Sequence, residues 1–155
     1  MRRERISCAR PYQGVIGTPA AKGDDRRSER FRLAKNPFIS VVDDDDSVRE
    51  ALGALLRALE FEVGLFASAL EFLRSDRVRK TDCLILDVRM PGMSGVELQR
   101  RLVETYRDVP VIFITAHGDE ERRARALKGG AVDYLLKPFS EESLMNAVRT
   151  ALSEK

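Results

Sequence analysis

The sequence predicts an α/β fold: a doubly wound (βα)5 domain with five parallel strands and helices on both faces. Three observations carry this. Short apolar runs alternate five times with segments whose apolar residues recur at three- and four-residue spacing. One run, Cys83-Leu-Ile-Leu86, is apolar throughout, as in a strand covered on both sides. The connections are long enough to hold the helical crossovers that parallel neighbours require.

The first strand is expected at Phe38–Val42 and ends on Asp43. Val48, Ala51, Leu52, Leu55, Leu56 and Leu59 then mark the inner stripe of a helix. Asp46 or Ser47 is the expected cap of that helix, where a carboxylate also meets the helix dipole. Phe61–Phe66 reads as a second, shorter strand. Ser68 and Glu71 have capping-box spacing and open a short helix to Arg74. Cys83–Leu86 is the third strand, and Pro91-Gly92 a turn.

Ser94 and Glu97 repeat the capping-box spacing, with Leu98, Leu102 and Tyr106 on one face of the helix that follows. Val109–Ile114 reads as the fourth strand. A polar helix runs from about Asp119 to Lys128 and stops at Gly129-Gly130. It is rich in arginine (Arg122, Arg123 and Arg125) and offers only Ala124, Ala126 and Leu127 as apolar positions. Val132–Leu136 is the fifth strand. Ser140 caps a last helix with Leu144, Ala147, Val148, Ala151 and Leu152 inward.

Charge divides the chain in two. Residues 1–36 hold 10 Lys+Arg against 4 Asp+Glu, whereas residues 37–155 hold 17 against 21. The net charge of +2 thus hides a basic extension on an acidic domain. With its glycines, prolines and few large apolar residues, segment 1–36 is expected to be disordered, and residues 37–155 to form the folded domain. No apolar run approaches membrane-spanning length, and no apolar stretch follows the basic N-terminus as in a secretory signal. The two cysteines, Cys8 and Cys83, suggest free thiols in a reducing, cytoplasmic compartment.

Ligands of such folds bind outside the carboxyl ends of the strands. Asp43 to Asp46 follow the first strand, Asp87 the third, Thr115 the fourth and Lys137 the fifth. Clustered carboxylates raise one another's pKa and call for a cation. Carboxylate oxygens suit hard Mg²⁺, which keeps several of its waters. Helix capping explains part of the four-Asp run but not the second acid after the third strand.

Val-Val-Asp43-Asp44, Leu-Ile-Leu-Asp87-Val-Arg-Met-Pro-Gly-Met-Ser-Gly95, Phe-Ile-Thr115-Ala and Tyr134-Leu-Leu-Lys137-Pro-Phe resemble the receiver domain of two-component response regulators. The spacings between Asp43, Asp87, Thr115 and Lys137 are 44, 28 and 22 residues, and the resemblance covers roughly residues 37–153. Thr-Ala-His-Gly-Asp and Gly-Gly-Ala-Val-Asp-Tyr look most like the nitrogen-fixation-regulator subfamily, whose usual output is a helix-turn-helix domain.

The resemblance implies a flavodoxin-like strand order, 2-1-3-4-5. It makes Asp87 the phosphoacceptor and gives Mg²⁺ to Asp43, Asp44, Asp87 and the backbone carbonyl of Arg89. Lys137 would pair with a phosphoryl oxygen and Thr115 would hydrogen-bond another. Tyr134 would turn inward as Thr115 moves, and Lys137-Pro138 would be a cis peptide. Arg89 and His117, each two residues past a site residue, would influence the access of water.

The implied partners are a sensor histidine kinase or phosphotransfer protein, and a downstream protein that meets the fourth helix, fifth strand and fifth helix. A phosphorylation-dependent homodimer is a further expectation. The domain would assist its own phosphorylation and dephosphorylation without being an enzyme on a separate substrate. The sequence closes with the last helix, so a stand-alone receiver is expected, with a receiver fragment of a DNA-binding transcriptional regulator as the alternative. A Mg²⁺-dependent aspartyl-phosphate hydrolase is disfavoured, because Arg89 stands where those enzymes want a second acid. The basic extension has no recognition-helix pattern and would bind nucleic acid only nonspecifically. No Gly-rich phosphate loop follows the first strand, which argues against a nucleotide-binding domain.

Overall fold

The computed structural model describes residues 36–105, 109–118 and 120–153. The chain divides into two units, Met1–Asn36 and Pro37–Lys155. In the second unit the elements run β1 (Phe38–Val42), α1 (Asp46–Ala58), β2 (Glu62–Phe66), α2 (Ala69–Arg74), β3 (Cys83–Asp87), α3 (Gly95–Thr105), β4 (Val111–Thr115), α4 (Glu120–Lys128), β5 (Asp133–Leu136) and α5 (Glu141–Ser153). The strands form one parallel sheet in the order β2-β1-β3-β4-β5, as the resemblance implies.

Alternate strand residues point to opposite faces, and the core divides accordingly. Ile39, Val41, Cys83, Ile85, Ile112 and Ile114 pack against Leu52 and Leu56 of α1 and Leu144 and Val148 of α5. Val42, Leu84, Leu86 and Phe113 pack on the other face against Phe72 of α2, Leu98 and Leu102 of α3 and Ala126 of α4. β1, β3 and β4 are buried along their whole length. Each fully buried aliphatic side chain contributes roughly 1.5–3 kcal/mol, so the central strands are held firmly from both sides.

Several expectations shift. The α1 cap is Asp45, not Asp46 or Ser47: its carboxylate accepts from the N–H groups of Ser47 and Val48. Ala51 and Leu59 of the expected stripe are exposed, which leaves Val48, Leu52, Leu55 and Leu56 to face the sheet. At α2, Ser68 caps the Glu71 N–H, while the Glu71 carboxylate reaches back to Ala67 rather than to Ser68. β2 starts one residue late because Phe61 still donates to the Leu56 carbonyl, beyond a left-handed Glu60 (φ 73°). β4 starts two residues late: Pro110 has no N–H, and only its carbonyl joins the sheet, accepting from Leu84. A 3-10 turn at Val78–Lys80 was not anticipated. The Tyr106 expectation and the disorder expected of residues 1–36 fall on, or almost wholly on, residues outside the described ones.

Candidate functional site

All five strands run in one direction, so β1, β3, β4 and β5 deliver Asp43, Asp87, Thr115 and Lys137 to the same edge of the sheet. Carboxylate oxygens of Asp43, Asp44 and Asp87 lie within 4.8 Å of one another. Asp43 is fully buried, Asp87 is 6% exposed and Asp44 is exposed. The Lys137 ammonium reaches into the cluster, donating to Asp43 Oδ2 at 2.9 Å and lying 3.8 Å from Asp87 Oδ1.

One lysine against three carboxylates leaves an excess of negative charge. Its effect falls on Asp87, whose carboxyl is pushed up to about 7. Burial is the largest cause, followed by the charge of Asp43; Lys137 opposes them, Asp44 adds to them, and a hydrogen bond from the Arg89 backbone N–H lowers the value. Three converging carboxylates fit a hard divalent cation, which would relieve this repulsion.

The acids are held by their own backbone and by one side chain that the sequence reading passed over. Asp43 Oδ1 accepts from the Asp45 N–H at 2.9 Å. Arg49, one turn into α1, donates to the Asp43 carbonyl at 2.6 Å and pairs with Asp46. Its side chain is 15% exposed, so the bond to the Asp43 carbonyl is partly shielded from water, whereas the Asp46 carboxylate is 80% exposed. The spacing of Asp46 and Arg49 on one helical face was a readable signal for the ion pair, but the bond to the Asp43 carbonyl was not. On the other side, the Gly95 N–H donates to the Val88 carbonyl at 3.0 Å, and a Cβ on Gly95 would overlap the Asp87 carbonyl oxygen. Glycine is thus what lets α3 begin directly against the end of β3.

Thr115 is buried; its hydroxyl accepts from the His117 N–H at 3.1 Å and donates to the His117 carbonyl at 3.4 Å. Tyr134 pairs in register with Phe113, two positions before the Thr115–Leu136 pair. Its ring is already inside, 7% exposed and 6.3 Å from the Phe113 ring. The Lys137-Pro138 bond is cis. The Arg89 side chain is exposed, as is His117. The structure therefore gathers Asp43, Asp44, Asp87 and Lys137, whereas the Thr115 hydroxyl is engaged with its own loop.

A sequence model of the response regulator receiver domain matches residues 39–149. Response regulator protein TmoT of Ectopseudomonas mendocina is 49% identical over 114 residues, covering 74% of this chain and 52% of TmoT. Transcriptional regulatory protein FixJ of Azorhizobium caulinodans is 41% identical over 114 residues, covering 74% of this chain and 54% of FixJ. The chain thus spans about half the length of the relatives it matches. Among solved structures, response regulator StyR shares 49% identity with a TM-score of 0.71, covering 77% of this chain and 60% of that one. FixJ-N shares 38% identity with a TM-score of 0.71, covering 78% and 97%. Family match, fold and strand-end acids agree: the chain belongs to the response regulator receiver domain family.

Proposed function

We propose that residues 37–155 form a receiver that accepts a phosphoryl group on Asp87, in the presence of Mg²⁺, from the phosphohistidine of a sensor kinase or phosphotransfer protein. The observation that carries this reading is the state of Asp87: a buried carboxyl pushed up to about 7, among Asp43, Asp44 and the Lys137 ammonium. Perturbed groups of this kind concentrate at functional sites. Residues 1–36 are then an extension, and a cytoplasmic location goes with the reading.

In the transfer, an Asp87 carboxylate oxygen attacks phosphorus. A P–O bond forms, the P–N bond breaks, and the imidazole nitrogen keeps the electron pair. Asp87 must be deprotonated to react, and Lys137 favours that form. Asp43, Asp44, Asp87 and the Arg89 carbonyl would hold Mg²⁺, which would supply positive charge for the phosphoryl oxygens. Phosphoryl transfer needs positioning and charge neutralisation above all, and the Lys137 ammonium gives the new oxygens a second cationic partner. The acyl phosphate carries about −1.5 to −2 charges in place of the single charge of the carboxylate, at the strand end beside Thr115. Thr115 would give up its His117 bonds to donate to a phosphoryl oxygen, and Tyr134, on the neighbouring strand, would repack in response. Signalling then passes by protein–protein contact.

A second reading has one observation behind it. The relatives are about twice as long and include transcriptional regulatory proteins, which supports a reading in which the receiver belongs to a DNA-binding transcriptional regulator and the same switch controls output. The hydrolase reading finds no support, since the residue two places after Asp87 is an exposed arginine. Incubation with acetyl phosphate tests the proposal. Phosphoryl incorporation is expected with Mg²⁺ and not with EDTA, and incorporation indifferent to the metal would overturn it.

A further inference from the structure

A cavity of about 350 Å³ opens between the loop after β3, the start of α3 and one flank of α4. Its buried wall is apolar, built from Val88, Met90 and Tyr134. Val96, on the first turn of α3, carries that wall to the surface and is 47% exposed. Arg89, Arg122 and Arg125 line the rest with Ser94, and none of these lining residues is acidic.

That composition runs against the surrounding domain, in which residues 37–155 carry 21 acids and 17 bases. The opposite flank of α4 is a built-in control. The cavity there, lined by Gly118, Glu120, Arg123, Tyr134 and Leu136, has one acid and one base. Arg122 and Arg125 are three residues apart and so share one helical face. Arg125 meets Glu121 at 3.1 Å, but both side chains are more than 70% exposed, and such a surface pair exchanges partners at little cost.

We infer that this cavity docks an acidic segment of a partner protein, which seats one apolar side chain against Val88, Met90 and Tyr134 while its carboxylates pair with the arginines. An apolar anchor in a pocket bordered by complementary charge is how compact protein contacts gain both affinity and selectivity. The guanidinium forks suit bidentate carboxylates better than ammonium groups would. The volume lies at the lower end of the roughly 300–1,000 Å³ of ligand pockets, enough for one large side chain and its neighbours. The docking site goes beyond the proposed phosphoryl chemistry and does not depend on it.

The test uses the full chain and a fluorescein-labelled peptide of Asp and Glu with a single central Leu, read by fluorescence anisotropy and by amide shifts. Saturable binding is expected, weakening with salt and perturbing Val88, Met90, Val96 and Tyr134. The Arg122→Glu/Arg125→Glu double variant should weaken it on the order of tenfold or more, as should a central Ser in the peptide. Val96→Asp, at an exposed position, should do the same and decides the matter if the arginine variant melts without cooperativity. Unchanged affinity in these variants, equal binding of the Ser peptide, shifts confined to the Arg123–Leu136 flank, or no saturable binding would overturn the inference. Self-association of the chain abolished by Val96→Asp would also overturn it, by making a second copy the occupant.

Discussion

Asp87 cannot carry its charge alone. In the unfolded chain its carboxyl ionises near 3.8; in the fold it is pushed up to about 7 by burial and by Asp43. Between those values the folded protein holds a proton that the unfolded chain has lost, so without metal its stability falls as pH rises from about 4 to about 7. Asp87→Asn should flatten that slope in thermal melts and raise Tm at pH 8 by roughly 5 °C. Metal ligands must be deprotonated, so Mg²⁺ should bind more tightly as pH rises through 7 and release protons as it binds. Calorimetry in buffers of different ionisation enthalpy measures this, and pH-independent binding would count against the site.

Neighbouring aspartates should separate by role. Asp44→Ala removes an exposed carboxylate of the proposed metal site, so it should abolish the stabilisation by millimolar Mg²⁺ at little cost to the metal-free fold. Asp45→Ala removes the α1 cap and should cost about 1 kcal/mol by denaturant titration while keeping the Mg²⁺ response. The acids, Thr115 and Lys137 were legible because chemistry-bearing residues stood directly after apolar strands. The capping role of Asp45 was not legible, because in a run of four aspartates only the backbone turn decides which one bonds back. Arg49 was missed for a related reason: its target is a carbonyl, and carbonyls leave no mark in a sequence.

At the scale of elements, α3 begins directly against the site. Its first residue, Gly95, leaves no room for a side chain beside the Asp87 carbonyl. Gly95→Ala should therefore destabilise the domain by about 1–3 kcal/mol, as overpacking does, and slow phosphoryl acceptance by moving the end of β3. Denaturant titration and phosphorylation kinetics on the same variant check both effects. Strand and helix identities were readable from periodicity, since two-sided burial makes β1, β3 and β4 apolar throughout. The edges were less so. Leu59 belongs to the apolar stripe by spacing but falls at the C-cap, where the chain turns away and leaves it 39% exposed. The turn at Val78–Lys80 has no periodicity to announce it; burial of Val78 and the bond from the Thr81 hydroxyl to the Arg77 carbonyl hold it in place.

Across the whole molecule, the parallel sheet is what turns residues 94 positions apart, Asp43 and Lys137, into a pair 2.9 Å apart. Helices cover both faces, and the site sits where all strands end. The core lies wholly within Pro37–Lys155 among the described residues. Removing residues 1–36, and with them 10 Lys+Arg and 4 Asp+Glu, should leave the cooperative melt and Asp87 phosphorylation intact. A lost transition in circular dichroism would mean that the extension contributes to the fold.

The central claim is that Asp87 receives the phosphoryl group, and chemical mapping of the adduct tests it most directly. After incubation with acetyl phosphate and Mg²⁺, borohydride reduces an aspartyl phosphate to homoserine, which peptide mass spectrometry locates. Conversion at position 87 alone, absent from Asp87→Asn, is the expected result. Conversion at Asp43, Asp44 or another residue, or an undiminished adduct in Asp87→Asn, would contradict the account.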